Sequence, residues 1–110
     1  MAKKSINELV FAGRDNTAVL TVSQDGADID SSSITRTLIE GVGKTLIIDS
    51  ADSPNALQWS GTNLTLALGM LDIQPDSYLV RISIFTPTDP DGLVIQHEES
   101  MPQLWLKFLA

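Results

Sequence analysis

The chain has 110 residues, of which 43% are hydrophobic and 19% are charged, and its formal net charge is −7. This length predicts one domain spanning residues 1–110, and the hydrophobic content argues against disorder across the whole chain. The lack of cysteine excludes a disulfide framework, and the acidic balance disfavours direct binding to nucleic acid, whose phosphates it would repel.

The first third of the chain predicts a β-hairpin followed by a polar loop. Residues 7–13 are mostly apolar, residues 14–16 are polar, and residues 17–23 alternate between two faces. A hairpin of 7–13 with 17–23 is the simplest arrangement of two such segments around a short polar turn. Residues 25–33 are then expected to form a loop.

The middle of the chain predicts four short strands. Residues 34–41 and 44–49 flank a glycine-containing reversal, which favours a hairpin. Leu57 and Trp59 are two residues apart, as one face of a strand places them. Leu64, Leu66 and Leu68 alternate with smaller residues, which is the clearest period-2 pattern in the chain.

The last third predicts three strands, at 78–85, 93–97 and 103–109. One helical turn is expected near residues 69–77, and the loop at 86–92 ends in Asp91-Gly92, a strong hairpin signal. In total, about seven to nine short strands recur at the spacing of an all-β sandwich or small barrel.

Catalytic and metal-binding patterns are absent from the sequence. His97 is the single histidine and there is no cysteine, so neither a Ser or Cys nucleophile with a histidine base nor a Cys/His zinc cage can be assembled. We therefore expect no enzyme activity, no cofactor and no metal.

The acidic segment from Asp25 to Asp30 resembles half of a calcium-binding loop. An EF-hand loop that starts at Asp25 requires Gly at its sixth position and Glu at its twelfth, where this chain has Asp30 and Arg36. We interpret the segment as a turn, because Asp side chains bind nearby backbone N–H groups.

Four other polar features are interpreted as ordinary surface structure. Asp89 and Asp91 flank a proline in a turn, and His97 lies at a strand end. Residues 31–33 are a hydrated serine loop. The glycosylation sequence that begins at Asn63 lacks the export signal it would need, because the apolar stretch after the N-terminal lysines is too short. We also expect no membrane partner, since no apolar run approaches the roughly 18 residues of a span.

The last strand is apolar on both faces. Leu104, Leu106 and Phe108 share one face, and Trp105 and Leu109 lie on the other beside Lys107. Such a strand is either central in a sheet or covered by another molecule. Central placement is the default, and the alternative is a partner interface formed by Trp105 and Leu109, since aromatic residues are enriched at interface centres.

The order of motifs resembles a family of small immunoglobulin-like β-sandwich structural proteins encoded by tailed bacteriophages and prophages. The resemblance covers nearly the whole chain and is carried by residues 9–16, 25–27, 34–36, 46–50, Trp59, 64–69, Tyr78 and 89–94. It implies a non-enzymatic virion component of the head, neck or tail, assembled in the bacterial host cytoplasm. The implied partners are other virion proteins, including further copies of the chain. The alternative function is a module that binds carbohydrate or a host surface.

Overall fold

The computed structural model describes residues 5–11, 13–14, 17–21, 23–24, 27–28, 31–71, 73–97, 99 and 103–109. Within these residues there are eleven strands and one 3₁₀ turn, Ser31–Ser33. The strands are β1 (Ser5–Phe11), β2 (Ala18–Thr21), β3 (Ser23–Gln24), β4 (Ala27–Asp28), β5 (Arg36–Gly41), β6 (Ile47–Asp49), β7 (Leu57–Ser60), β8 (Asn63–Leu66), β9 (Asp76–Phe85), β10 (Leu93–Gln96) and β11 (Gln103–Leu109). The protein is therefore all-β, as predicted.

The larger sheet is organised around β9. Its order is β1-β11-β9-β5-β6, with β10 also paired to β9. The ten residues of β9 accommodate three partners: β11 pairs with residues 76–79, β10 with residues 82–84 and β5 with residues 80–85. Because β5 and β10 pair with the same part of β9, they lie on its opposite edges. The predicted hairpins β5–β6 and β9–β10 are both confirmed.

The smaller sheet has the order β2-β8-β7, and β3 and β4 form a separate two-stranded ladder. β7 and β8 are joined by a tight turn in which Gly61 has φ of 61°, a left-handed conformation that glycine adopts without steric cost. Buried side chains from both sheets form one core, to which the smaller sheet contributes Leu64 and Leu66 and the larger sheet Ile39, Ile82 and Leu106. Two sheets that bury their facing sides in this way form a β-sandwich.

The strand order resembles that of an immunoglobulin-like sandwich. In that fold the second, fifth and fourth strands, B, E and D, form one sheet, while C, C′, F and G belong to the other. Here β2, β8 and β7 take the first set of positions, and β5, β6, β9 and β10–β11 the second. The hydroxyl of Tyr78 donates a hydrogen bond to the Gln74 carbonyl at 3.0 Å, which is the tyrosine corner that immunoglobulin-like domains form at the start of strand F.

The predicted hairpin of residues 7–13 with 17–23 is wrong. β1 pairs with β11 in parallel in the larger sheet, and β2 pairs with β8 in the smaller sheet. Period-2 alternation shows which face of a strand is buried but not which strand lies beside it. The two segments belong to different sheets, where each buries its apolar face in the shared core. The β1–β11 pairing is the one parallel ladder among the described strands, and the other ladders are antiparallel, as predicted for the sandwich.

The helical turn expected near residues 69–77 is also wrong for the described part of that segment. The Leu71 N–H donates to the Leu68 carbonyl at 3.1 Å, and the Ile73 N–H donates to the Leu71 carbonyl at 3.0 Å. These bonds make a tight reversal between the two sheets. The backbone then extends into β9, because Tyr78 and the alternate residues after it are buried in the core.

Candidate interaction surface

The two faces of β11 have different surroundings. Leu104, Leu106 and Phe108 point into the sandwich and are at most 3% exposed. Trp105 points to the outer side of the sheet and is partly exposed, and Leu109 on the same side is 37% exposed. β11 lies between β1 and β9 in the sheet. This is the central placement that its two apolar faces predicted. The central placement of β11 thus leaves the side chains of Trp105 and Leu109 on the outer surface.

β1 adds two more apolar side chains to this outer surface. In the parallel register Asn7 lies beside Trp105, Leu9 beside Lys107 and Phe11 beside Leu109. Paired residues share a face of the sheet, and neighbouring strands are about 4.8 Å apart. Leu9 is 50% exposed and Phe11 is 45% exposed. We call the surface formed by Leu9, Phe11, Trp105 and Leu109 the outer patch.

The outer patch carries little charge for so acidic a protein. Lys107 lies within it, directly beside Leu9, and its aliphatic stem can cover apolar surface while its ammonium group stays in water. Glu8 belongs to the opposite face of β1, which it shares with the buried Val10. A partner that docks on this patch therefore avoids much of the repulsion that a net charge of −7 creates elsewhere.

Sequence reasoning identified half of this patch. Trp105 and Leu109 were predicted from the two apolar faces of the last strand, but Leu9 and Phe11 were assigned to a hairpin. The usable signal was the pattern of residues 6–11, in which Leu9 and Phe11 fall on one face of a strand and Ile6 and Val10 on the other. That pattern predicts a strand with two apolar faces, but the neighbouring strand comes from the far end of the chain.

An ion pair occupies another part of the larger sheet. Arg36 on β5 donates to both carboxylate oxygens of Asp49 on β6, with Nε 2.9 Å from Oδ1. The guanidinium carbon lies 4.8 Å from the centre of the Phe85 ring. The hydrogen bond from Arg36 is the main cause that lowers the pKa of Asp49, and the Ala51 N–H, 3.0 Å from Oδ1, acts in the same direction. This fixed bidentate geometry joins two strands, and its polar atoms are already used within the protein.

A shallow cleft of about 240 Å³ lies beside this ion pair, at the edge formed by β5 and β7. Its aromatic wall is Trp59, whose indole N–H donates to the Thr37 hydroxyl at 2.9 Å. The Thr37 backbone N–H donates to the Ser50 hydroxyl at 2.9 Å. Sugar recognition requires polar groups directed at the ligand, whereas these groups bind one another. The cleft is therefore a weaker candidate site than the outer patch.

A second ion pair lies at the start of β9. Lys44 Nζ is 2.9 Å from Asp76 Oδ1 and 2.8 Å from the Ser77 carbonyl, and it lies 5.7 Å from the centre of the Tyr78 ring. The hydrogen bond from Lys44 lowers the pKa of Asp76. Both charged side chains are about half exposed, so the pair is solvated and holds a turn against the sheet rather than forming a reactive site.

The other polar candidates have the following places in the structure. Asp25, Asp30 and the Asp28 side chain lie outside the described residues. The Asp89 N–H donates to the Thr86 carbonyl at 3.1 Å, in the turn predicted there, and the His97 ring accepts a hydrogen bond from the Glu99 N–H at 3.1 Å. Within the described part of the chain no three His, Asp or Glu side chains are grouped closely enough to hold a metal ion. Helices of the length and apolarity needed to cross a bilayer are likewise not found there.

No protein-family model matches the chain, and no curated protein matches it by sequence. The resemblance to phage structural proteins therefore stays a prediction.

Proposed function

We propose that this chain is a non-enzymatic structural or assembly protein of a phage virion that acts through protein–protein contacts. The observation that carries the proposal is the outer patch. Its four apolar side chains lie on two adjacent strands, and three of them are more than a third exposed. Contiguous apolar surface of this kind on a soluble domain marks interaction sites.

The rest of the molecule supports a scaffold role. Sixteen hydrophobic side chains of the described residues are buried, so the domain has its own core and a surface available for neighbours. The ordered resemblance to phage sandwich proteins supplies the biological setting, a head, neck or tail component. Fold alone does not assign function, so the assignment depends on the patch and on that resemblance together.

The direct test is mass spectrometry of gradient-purified particles from a phage or prophage that encodes the chain. We expect the protein at a fixed copy number per particle, and its absence from particles would end the proposal. The Leu109→Lys variant should be incorporated into particles at a lower copy number, because the substitution places a charge in the outer patch. Val19→Lys is the matched control, since Val19 is an exposed apolar residue of β2 outside the patch.

Two further measurements separate this role from its competitor. Trp105→Ala should reduce association while the far-ultraviolet circular dichroism spectrum stays that of a β protein, whereas loss of the fold would show that Trp105 serves mainly the core. A glycan array should show no binding by the purified domain. Specific glycan binding that Trp59→Ala abolishes would instead favour the carbohydrate-binding function and the β5–β7 cleft.

A further inference from the structure

The sheet edges of this protein differ in how they are protected. Unpaired edge strands expose backbone N–H and C=O groups, and proteins usually guard them with short strands, bulges, prolines or charges. β6 has three residues, β2 and β7 have four each, and the register of β10 with β9 shifts between Val94 and Gln96. These edges are all short or irregular.

β1 lacks most of these guards. It has seven residues, and its register with β11 runs without a shift from Ser5 to Phe11. It contains no proline and one charged residue, Glu8. Among the described strands, β11 is the one that pairs with β1, so no described strand covers the opposite edge of residues 6–10. A long, regular edge with exposed apolar side chains is a template for strand addition.

We propose that two copies of this chain pair through their β1 edges, antiparallel and about a two-fold axis at Leu9, so that the two larger sheets become one continuous sheet. This deepens the contact role proposed above, on which its biological meaning rests, by naming the partner as a second copy. A two-fold axis perpendicular to the sheet keeps both outer faces on the same side. The two outer patches therefore merge across the new ladder.

The side chains of β1 select the register. With the axis at Leu9, Leu9 lies opposite Leu9 of the partner subunit, and Phe11 lies opposite Asn7 of the partner subunit. Glu8 then faces Val10 of the partner subunit. An axis at Glu8 would place two carboxylates directly opposite each other, which is destabilising in a ladder. An axis at Asn7 would place Leu9 opposite a serine and lose the apolar contact.

The apolar area covered by the pairing limits the strength of the dimer. Half-exposed Leu and Phe side chains together with Leu109 present roughly 300 Å² of apolar surface, of which edge pairing covers only the part beside the new ladder. The covered area is therefore well below the roughly 800 Å² per partner of a standard stable interface. Ladder hydrogen bonds add to this area, so we expect a dimer that forms reversibly as concentration rises. Each copy carries −7 charge. Because salt screens that repulsion, salt should strengthen association.

Cysteine scanning of β1 tests the pairing directly, because the wild-type chain contains no cysteine. Leu9→Cys brings two thiols together at the axis, where opposite Cα atoms are about 4.5–5.5 Å apart, within disulfide range. Asn7→Cys and Phe11→Cys each place the two thiols four residues apart, about 13 Å along the strands. Mild oxidation of purified protein should therefore give a covalent dimer for Leu9→Cys and little for the other two.

The controls make each outcome decisive. Val19→Cys, exposed on the other sheet, measures random collision, and circular dichroism checks that every variant is folded. Sedimentation of the unmodified chain should show reversible growth from 11.9 kDa towards twice that mass, and Leu9→Lys should abolish the growth by opposing two ammonium groups. Cross-linking of Leu9→Cys no greater than that of Val19→Cys, or preferential cross-linking of Asn7→Cys, would overturn the proposed pairing. Both assays use purified protein, so their failure is distinct from absence of the chain from virions.

Discussion

The inner and outer faces of β11 carry similar side chains in different surroundings. Leu106 is completely buried between the sheets, whereas Leu109, three residues further along the same strand, is 37% exposed. The inner residues are covered by the smaller sheet of the same chain. The outer residues have only their strand neighbours beside them. The inner apolar side chains of β11 therefore stabilise the fold, whereas the outer ones remain available for contact with another molecule.

The largest expected effect is that of Leu106→Ala. Removing a fully buried leucine loses transfer free energy and leaves a cavity, so the free energy of unfolding should fall by about 2–5 kcal/mol. Denaturant unfolding followed by circular dichroism measures it. A loss below that of Leu109→Ala would contradict the distinction between the two faces.

Tyr78→Phe should have an intermediate effect. The ring would keep its edge-on contact with Phe108, whose ring centre is 5.6 Å away, while the hydrogen bond to the Gln74 carbonyl is lost. We expect a loss of about 1 kcal/mol in the free energy of unfolding. An unchanged midpoint of urea unfolding would show that the tyrosine corner does not stabilise this sandwich.

The two ion pairs of the larger sheet should contribute differently to the loss of stability at low pH. Hydrogen bonding from Arg36 lowers the pKa of Asp49 below the ordinary value of an aspartate. Ionised Asp49 therefore stabilises the folded state above about pH 4, and this contribution is lost as the pH falls through the folded-state pKa. In Asp49→Asn the fall in stability below pH 4 should be shallower than in the wild type.

Asp76→Asn is the comparison for that measurement. The pKa of Asp76 is also lowered, but its ion pair with Lys44 is about half exposed on both sides, where solvent weakens the interaction. We expect Asp76→Asn to alter the fall in the free energy of unfolding below pH 4 less than Asp49→Asn does. An equal or larger change would show that exposure does not separate the two pairs.

The smallest effect on stability is expected for Leu109→Lys. A substitution at an exposed outer position should alter the free energy of unfolding by no more than about 0.5 kcal/mol. The same substitution should still weaken association, measured by light scattering at high protein concentration. A large loss of stability without a change in association would assign Leu109 to the core.

Much of the fold could be predicted from individual segments. The bounds of β11 agree with the predicted strand, and β9 begins two residues earlier than predicted. Both are strongly alternating segments bounded by turn residues, which makes them local signals. The connection at residues 69–77 could not be predicted in this way, because no periodic pattern indicates its structure.

The candidate surface could be predicted only in part. Trp105 and Leu109 stand out in the sequence because they break the polar side of an alternating strand. Leu9 and Phe11 join them through a pairing that spans almost the whole chain. A pairing of that kind leaves no local trace, since neither strand contains a turn that joins it to the other.

By itself, the sequence determined that the chain pleats into short strands and which alternate side chains turn inward, because both follow from local backbone preference and period-2 hydrophobicity. Only the tertiary structure decided which strands are neighbours. It placed β1 in parallel beside β11 rather than in a hairpin with the next strand, because the free energy of pairing distant strands depends on burial summed over the whole core. That choice also brought Leu9 and Phe11 to the same face as Trp105 and Leu109.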